Sequence, residues 1–269
     1  MPELIKKPNS IKVILTGLFL FSAPYVFGQT PAVVKPLTIV VDAGHGGKDG
    51  STRGLFSREK DVALAVALLL GETIEKEIPN SKVIYTRTED VFIPLYERIA
   101  IANRAHADLF ISIHCNSMPS NMRNRTESRG VETFVSGSGR LGEQEVAVRE
   151  NASILLEKNF KDNYEGYDPT DPESFIVLSL MKNAYRRQSI KLAKLIQDQY
   201  IQNGRVDRGV KEQSLAVLAK AGMPAVLTEI GFISNPSEEE YINSLSGRQE
   251  IVQNIKNAIL EYTKPVVIN

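Results

Sequence analysis

One cysteine, Cys115, stands alone in the 269-residue chain, so no intrachain disulfide can form. Tryptophan is absent and only three histidines occur. Neither sign of charge dominates: 32 basic residues balance 32 acidic ones. That balance excludes the strong basic excess of a typical nucleic-acid binder. The local cluster Arg123, Arg125 and Arg129 is short and mixed with polar residues, which fits a solvated loop. Internal repeats and low-complexity tracts are missing as well. One long apolar run exists, Val13 to Gly28, and it is short for a bilayer span and carries Pro24.

That run has a specific setting. Lys6, Lys7 and Lys12 precede it, and small residues lead to Gln29. This is the pattern of a secretory signal. It predicts cleavage after Gly28 and an exported, periplasmic chain with no stable membrane anchor. Residues 29–36 read as a short linker. Without a disulfide, the exported domain must rest on a hydrophobic core, and 42% apolar residues can build one.

Past the linker, β-branched runs alternate with helix-forming stretches. "LTIVVDAG", "KVIYTR", "DLFISIHCN", "GVETFVS", "SLAVLAKAG" and "PAVLTEIGF" read as strands. Helices are expected over "EKDVALAVALLLGETIEKEI", over "PLYERIAIANRAHA" with Pro94 at its start, over residues 189–203, and over the closing residues. The stretch 138–187 is polar and lacks a clear strand. It reads as a partly helical insertion. The predicted fold is α/β: a twisted, mostly parallel mixed sheet of about six strands flanked by helices. It forms one domain over residues 37–265.

In such sheets, functional groups gather at the carboxyl ends of strands. His45 follows the first strand, His114 closes the third, Glu229 closes "PAVLTE", and Glu59 opens the first helix. Taken alone, His45 reads as a turn residue and Glu59 as a favourable charge at a helix start. Together, four ionisable groups beside apolar strands need a partner, because burying them unpaired is costly. A metal supplies one. Two imidazoles and a carboxylate make a zinc shell with an open position for water. Hence His45, Glu59 and His114 are the expected ligands, and Glu229 the expected general base. Gly44, Gly46 and Gly47 let the chain turn sharply around His45.

Four stretches then resemble one family: "IVVDAGHGGKDGSTRG", "REKDVALAVALLL", "RTEDVFIPLYERIAIANRAHADLFISIHCNS" with "GVETFV", and "AVLTEIGFISNPSEEEYI". The chain resembles the zinc-dependent N-acetylmuramoyl-L-alanine amidases over residues 37–263. The resemblance implies zinc on His45, Glu59 and His114, catalysis by Glu229, and peptidoglycan as substrate. It departs at Ala43, at the loop Gly50 to Arg53, and at Cys115 and Ser117, none of them a ligand. Division-associated members carry a helical insert that covers the zinc until an activator protein displaces it. Residues 138–187 suit that role, with Glu157, Glu165 or Glu173 as acids that can reach the metal. Two rivals stand beside this reading. One is a hydrolase using Cys115 as nucleophile. The other is a non-catalytic peptidoglycan-binding module of the same fold.

Overall fold

The computed structural model describes residues 35–139, 143–180 and 184–264. The expected signal and most of the expected linker lie outside these residues. In chain order the elements are β1 (Leu37–Ala43), α1 (Glu59–Glu77), β2 (Ser81–Tyr85), α2 (Leu95–Arg104), β3 (Leu109–Asn116) and β4 (Val131–Ser136). There follow α3 (Glu145–Asn151), α4 (Phe160–Asn163), α5 (Phe175–Leu180), α6 (Arg186–Gln202), β5 (Asp207–Gln213) and α7 (Ala216–Ala219). The chain closes with β6 (Ala225–Phe232), α8 (Pro236–Asn243) and α9 (Leu245–Thr263).

The six strands form one sheet in the order β2-β1-β3-β6-β4-β5. Every neighbouring pair is parallel except β4 with β6. Strands covered on both faces read as continuous apolar runs. β3 shows why: all eight of its residues are buried. One face packs Ile39, Val41, Ile111 and Ile113 against α1, α6 and α9. The other packs Val40, Phe110 and Leu227 against α2, α7 and the segment before α6. Each fully buried side chain of this kind contributes about 1.5–3 kcal/mol.

Local sequence explains the main helices. In α1 the buried residues Val62, Val66, Leu70 and Ile74 recur every four positions. Glu59 and Asp61 sit in its first turn and Lys76 in its last, matching the helix dipole. Asn235 caps α8, accepting from the backbone N–H groups of Ser237 and Glu238 ahead of Pro236 at the first turn.

One expected strand needs correction, and one strand was not expected. "SLAVLAKAG" is not a strand; it forms a loop and the short helix α7. Leu215 through Ala219 are all buried, and a short apolar run does not separate strand from helix. The sixth strand is β5, whose sequence DRGVKEQ is largely polar because it lies at the sheet edge. The long helix starts at Arg186 rather than residue 189. Between β4 and α6 the described chain forms only short helices.

Candidate metal centre

The parallel register sets the site. His114 on β3 lies opposite Glu229 on β6, and Glu229 lies opposite Glu132 on β4. In-register neighbours project from the same face, so these three groups form a row across the sheet. Cys115, one residue on, points into the apolar cluster on the opposite face. Burial pushes its thiol well above the ordinary range, which does not suit a nucleophile.

His45 arrives from the loop after β1. Its own φ is 58°, followed by 122° at Gly46 and 57° at Gly47. Two buried arginines brace this left-handed turn. Arg98 donates to the carbonyls of Ala43 (2.7 Å) and His45 (2.6 Å), and Arg87 to that of Gly44 (2.7 Å). Arg98 also pairs with the buried Asp42 at 2.8 Å, which accepts from Thr86 and Ser112 besides. Gly44 is a close-approach position: a Cβ there would lie 2.4 Å from the His114 ring.

Each donor is oriented by a partner. Asp49 Oδ2 lies 2.8 Å from His45 Nδ1 and fixes that ring, leaving Nε2 to face inward. Glu59 Oε2 accepts from the Thr52 hydroxyl at 2.7 Å, while Oε1 accepts from the Cys115 N–H at 3.0 Å. Glu59 Oε1 lies 3.1 Å from His45 Nε2 and 3.1 Å from His114 Nδ1.

A fourth donor was not among the residues expected from the sequence. Glu150, at the end of α3, places Oε2 3.1 Å from His45 Nε2 and 2.9 Å from His114 Nδ1. The donor atoms of His45, Glu59, His114 and Glu150 lie within 4.8 Å of one another, and all four residues are buried. The acids expected to reach this point do other work. Glu157 accepts from the Leu95 N–H and the Tyr164 hydroxyl, Glu165 is exposed and pairs with Lys220, and Glu173 is exposed. A sequence signal for Glu150 exists: spacing on α3 puts Glu150 and Asn151 on the face of Val146 and Ala147, so that face is buried yet partly polar.

Do these residues fit a metal ion? His45 Nε2 and Glu150 Oε2 are buried and make no hydrogen bond, although each stands near the other donors. Both face the same small space as Glu59 Oε1 and His114 Nδ1. Contacts of 2.9–3.1 Å are near the about 3.3 Å that separates two donors of a tetrahedral ion. Two nitrogens and two carboxylate oxygens are also a donor set that zinc accepts. The residues fit.

Electrostatics agree. Burial opposes a charge on His114, but Glu150 and Glu59 outweigh it and raise its pKa to about 9. His45 is raised for the same reason, Glu59 and Glu150 outweighing burial. Burial pushes Glu229 up to about 8 against the pull of Arg149, with Glu150 and Glu59 adding to the rise.

Beside this cluster lies an open groove of about 1530 Å³. Thr52, Asn116, Arg149, Arg208, Lys211 and Phe232 are among its lining residues. Arg149 is the lining residue that reaches the prospective base. That side chain donates to Glu229 Oε1 (2.7 Å) and to Asn116 Oδ1 (2.9 Å), while Glu229 Oε2 has no hydrogen-bond partner. Asn116 in turn donates to Glu132, which Lys211 also contacts.

Comparison with known proteins addresses the same region. A family model described as N-acetylmuramoyl-L-alanine amidase matches residues 39–261. The amidase AmiC of Escherichia coli is 33% identical over 230 residues, covering 85% of this chain and 53% of AmiC. YqiI of Bacillus subtilis is 31% identical over 249 residues, covering 92% of this chain and 94% of YqiI. The chain thus spans about half the length of AmiC and nearly all of YqiI. The crystal structure of an N-acetylmuramoyl-L-alanine amidase from Clostridium difficile superposes with a TM-score of 0.64 at 26% identity, covering 86% of this chain and all of that one. The matched residues include every donor of the cluster and Glu229, and the chain belongs to the N-acetylmuramoyl-L-alanine amidase family.

Proposed function

We propose that this chain hydrolyses the amide between the lactyl group of N-acetylmuramic acid and L-alanine in peptidoglycan, as a zinc enzyme held shut by its own insertion. The observation that carries the reading is the buried convergence of His45 Nε2, Glu59 Oε1 and His114 Nδ1 beside Glu229. These three residues would hold the ion. A bound zinc ion supplies Lewis acidity and makes water acidic enough to attack near neutral pH.

The chain's own groups do the rest. Glu229, buried beside the cluster, takes a proton from the attacking water at its carboxylate and returns it to the departing alanine nitrogen. Asp49 and Thr52 keep His45 and Glu59 aimed. The wide groove suits a polymeric substrate.

Two adjacent residues of the insertion oppose this chemistry. Glu150 occupies the place a water needs, and Arg149 ties up Glu229. An activator protein that draws α3 away would free both. Residues 1–28 carry a basic start and an apolar run, which supports export to the periplasm. Among the described residues no helix is long and apolar enough to cross a membrane.

The test is digestion of purified peptidoglycan with and without a chelator, products identified by mass. Stem peptides with a free L-alanine amino terminus should appear, and the chelator should stop their release. Binding to the wall with no peptide release, by zinc-loaded wild type and by a Glu150→Ala variant alike, would favour the non-catalytic module instead.

A further inference from the structure

Glu239, on α8, is fully buried. A carboxylate sealed from water needs donors on both oxygens. All of its hydrogen-bond donors come from one short stretch far away in the sequence. Oε2 accepts from the Leu55 N–H at 2.7 Å. Oε1 accepts from the N–H groups of Phe56 (2.9 Å) and Ser57 (2.7 Å), and from the Ser57 hydroxyl (2.7 Å). The preceding residue is Gly54, where a Cβ would lie 2.3 Å from Glu239 Oε1. The loop is therefore shaped to receive this carboxylate.

That loop ends at a proposed metal ligand. It is a tight hairpin: the Gly54 N–H donates to the Ser57 carbonyl and the Glu59 N–H to the Thr52 carbonyl, both at 3.1 Å, and Arg53 bridges Arg58. Thr52 then grips Glu59 Oε2, which leaves Oε1 turned toward His45 and His114. The tip's own side chains do not anchor it, since Leu55 is 78% and Phe56 60% exposed. Its hold on the protein body runs through α8: Glu239 takes four hydrogen bonds from it, and Asn243 Nδ2 donates one to the Ser57 Oγ at 3.0 Å. α8 also follows directly from β6, the strand of Glu229.

Resting on the reading of Glu59 as a metal ligand, we infer that Glu239 is a positioning residue: it pins the 54–57 hairpin and so sets the reach of Glu59 toward the ion. Glu239 touches neither substrate nor metal. It acts through three backbone N–H groups and the Ser57 hydroxyl, and it couples the loop carrying one ligand to the helix that follows the strand of the proposed base. An ordinary loop brace would share its contacts but not its effect on metal affinity.

The experiment uses the full chain with zinc. Zinc affinity is read by competition with a chromophoric chelator, alongside thermal melting of the stripped protein and kcat and KM on a soluble muropeptide. Glu239→Gln is expected to weaken zinc binding about 10- to 100-fold. KM should hold, and kcat should recover at saturating zinc. Gly54→Ala, which crowds the same carboxylate, and Ser57→Ala, which removes one donor, should move affinity the same way by less. If Glu239→Gln does not fold, these two decide the matter. Wild-type zinc affinity in the folded variants, whatever their melting temperatures, overturns the inference and leaves Glu239 a brace. Glu59→Gln is the separate control: undiminished affinity there removes the ligand reading itself.

Discussion

Three of the four converging donors belong to the sheet scaffold, and one belongs to the segment before α6. The difference in how they are held is large. His45, Glu59 and His114 hang from β1, α1 and β3, and Asp49, Thr52, Arg87 and Arg98 fix their surroundings. Glu150 sits at the end of a seven-residue helix, followed by short helical turns. A ligand that must always be present is built on long, buried elements. A ligand that must leave is better carried by a short one, because fewer contacts are lost on its departure. The contrast is the one expected between the proposed permanent shell and the proposed removable cover.

The sharpest way to break that contrast is to delete one donor of each kind. His114→Ala should cost more zinc affinity than the about 100-fold typical of losing a neighbouring hydrogen-bond partner, and amide hydrolysis should vanish with it. Metal content and peptide release measure both. Replacing Arg149 and Glu150 together by alanine should do the reverse. Zinc stays bound, and basal turnover rises about 10-fold or more as the covered state loses its hold. A double variant that is no faster than wild type on muropeptides would mean the segment is not a cover. Asp49→Asn probes the scaffold side more gently. The amide keeps a contact with His45 but loses the charge, and zinc affinity should drop about 10-fold with the fold intact by circular dichroism.

The smallest effect is one of pH. In chelator-stripped protein His114 has its pKa raised from 6.5 to about 9. A raised folded-state pKa contributes stability that is full below 6.5 and fades as pH climbs through about 9. The stripped protein should therefore melt at lower temperature near pH 9 than near 6.5. Zinc affinity should run the opposite way, since the proton on His114 must leave before Nδ1 can bind an ion. Melting curves and chelator competition over that range separate the two trends; parallel trends would remove His114 from the shell.

Much of this was legible beforehand because strand ends are legible. The β-branched runs before Gly44 and ending at His114 and Glu229 are long and continuous, and a parallel sheet brings such ends to one edge. Glu59 followed from the strong helical period that starts with it. The sheet edge was harder. β5 is polar, so its sequence carries no period that marks a strand, and the buried run beside it is a helix. Glu150 is hard to read because α3 looks like any short amphipathic helix; apart from the adjacent Arg149, its partners His45 and His114 come from distant elements, and no local spacing encodes them. Glu165 and Glu173 stand in more conspicuous polar sequence, while Glu157 follows the apolar run Ile154 to Leu156. Glu239 was hidden for the same reason, being one of three consecutive glutamates that read as a solvated helix start.

Arg149 and Glu150 are consecutive residues of a single turn, one donating to Glu229 and the other placing Oε2 beside His45 Nε2 and His114 Nδ1. Such neighbours are gained and lost as a unit, so half-open states that cleave slowly should be scarce. On the function proposed above, that adjacency would make opening a threshold instead of a leak, with peptide release only once both residues have withdrawn.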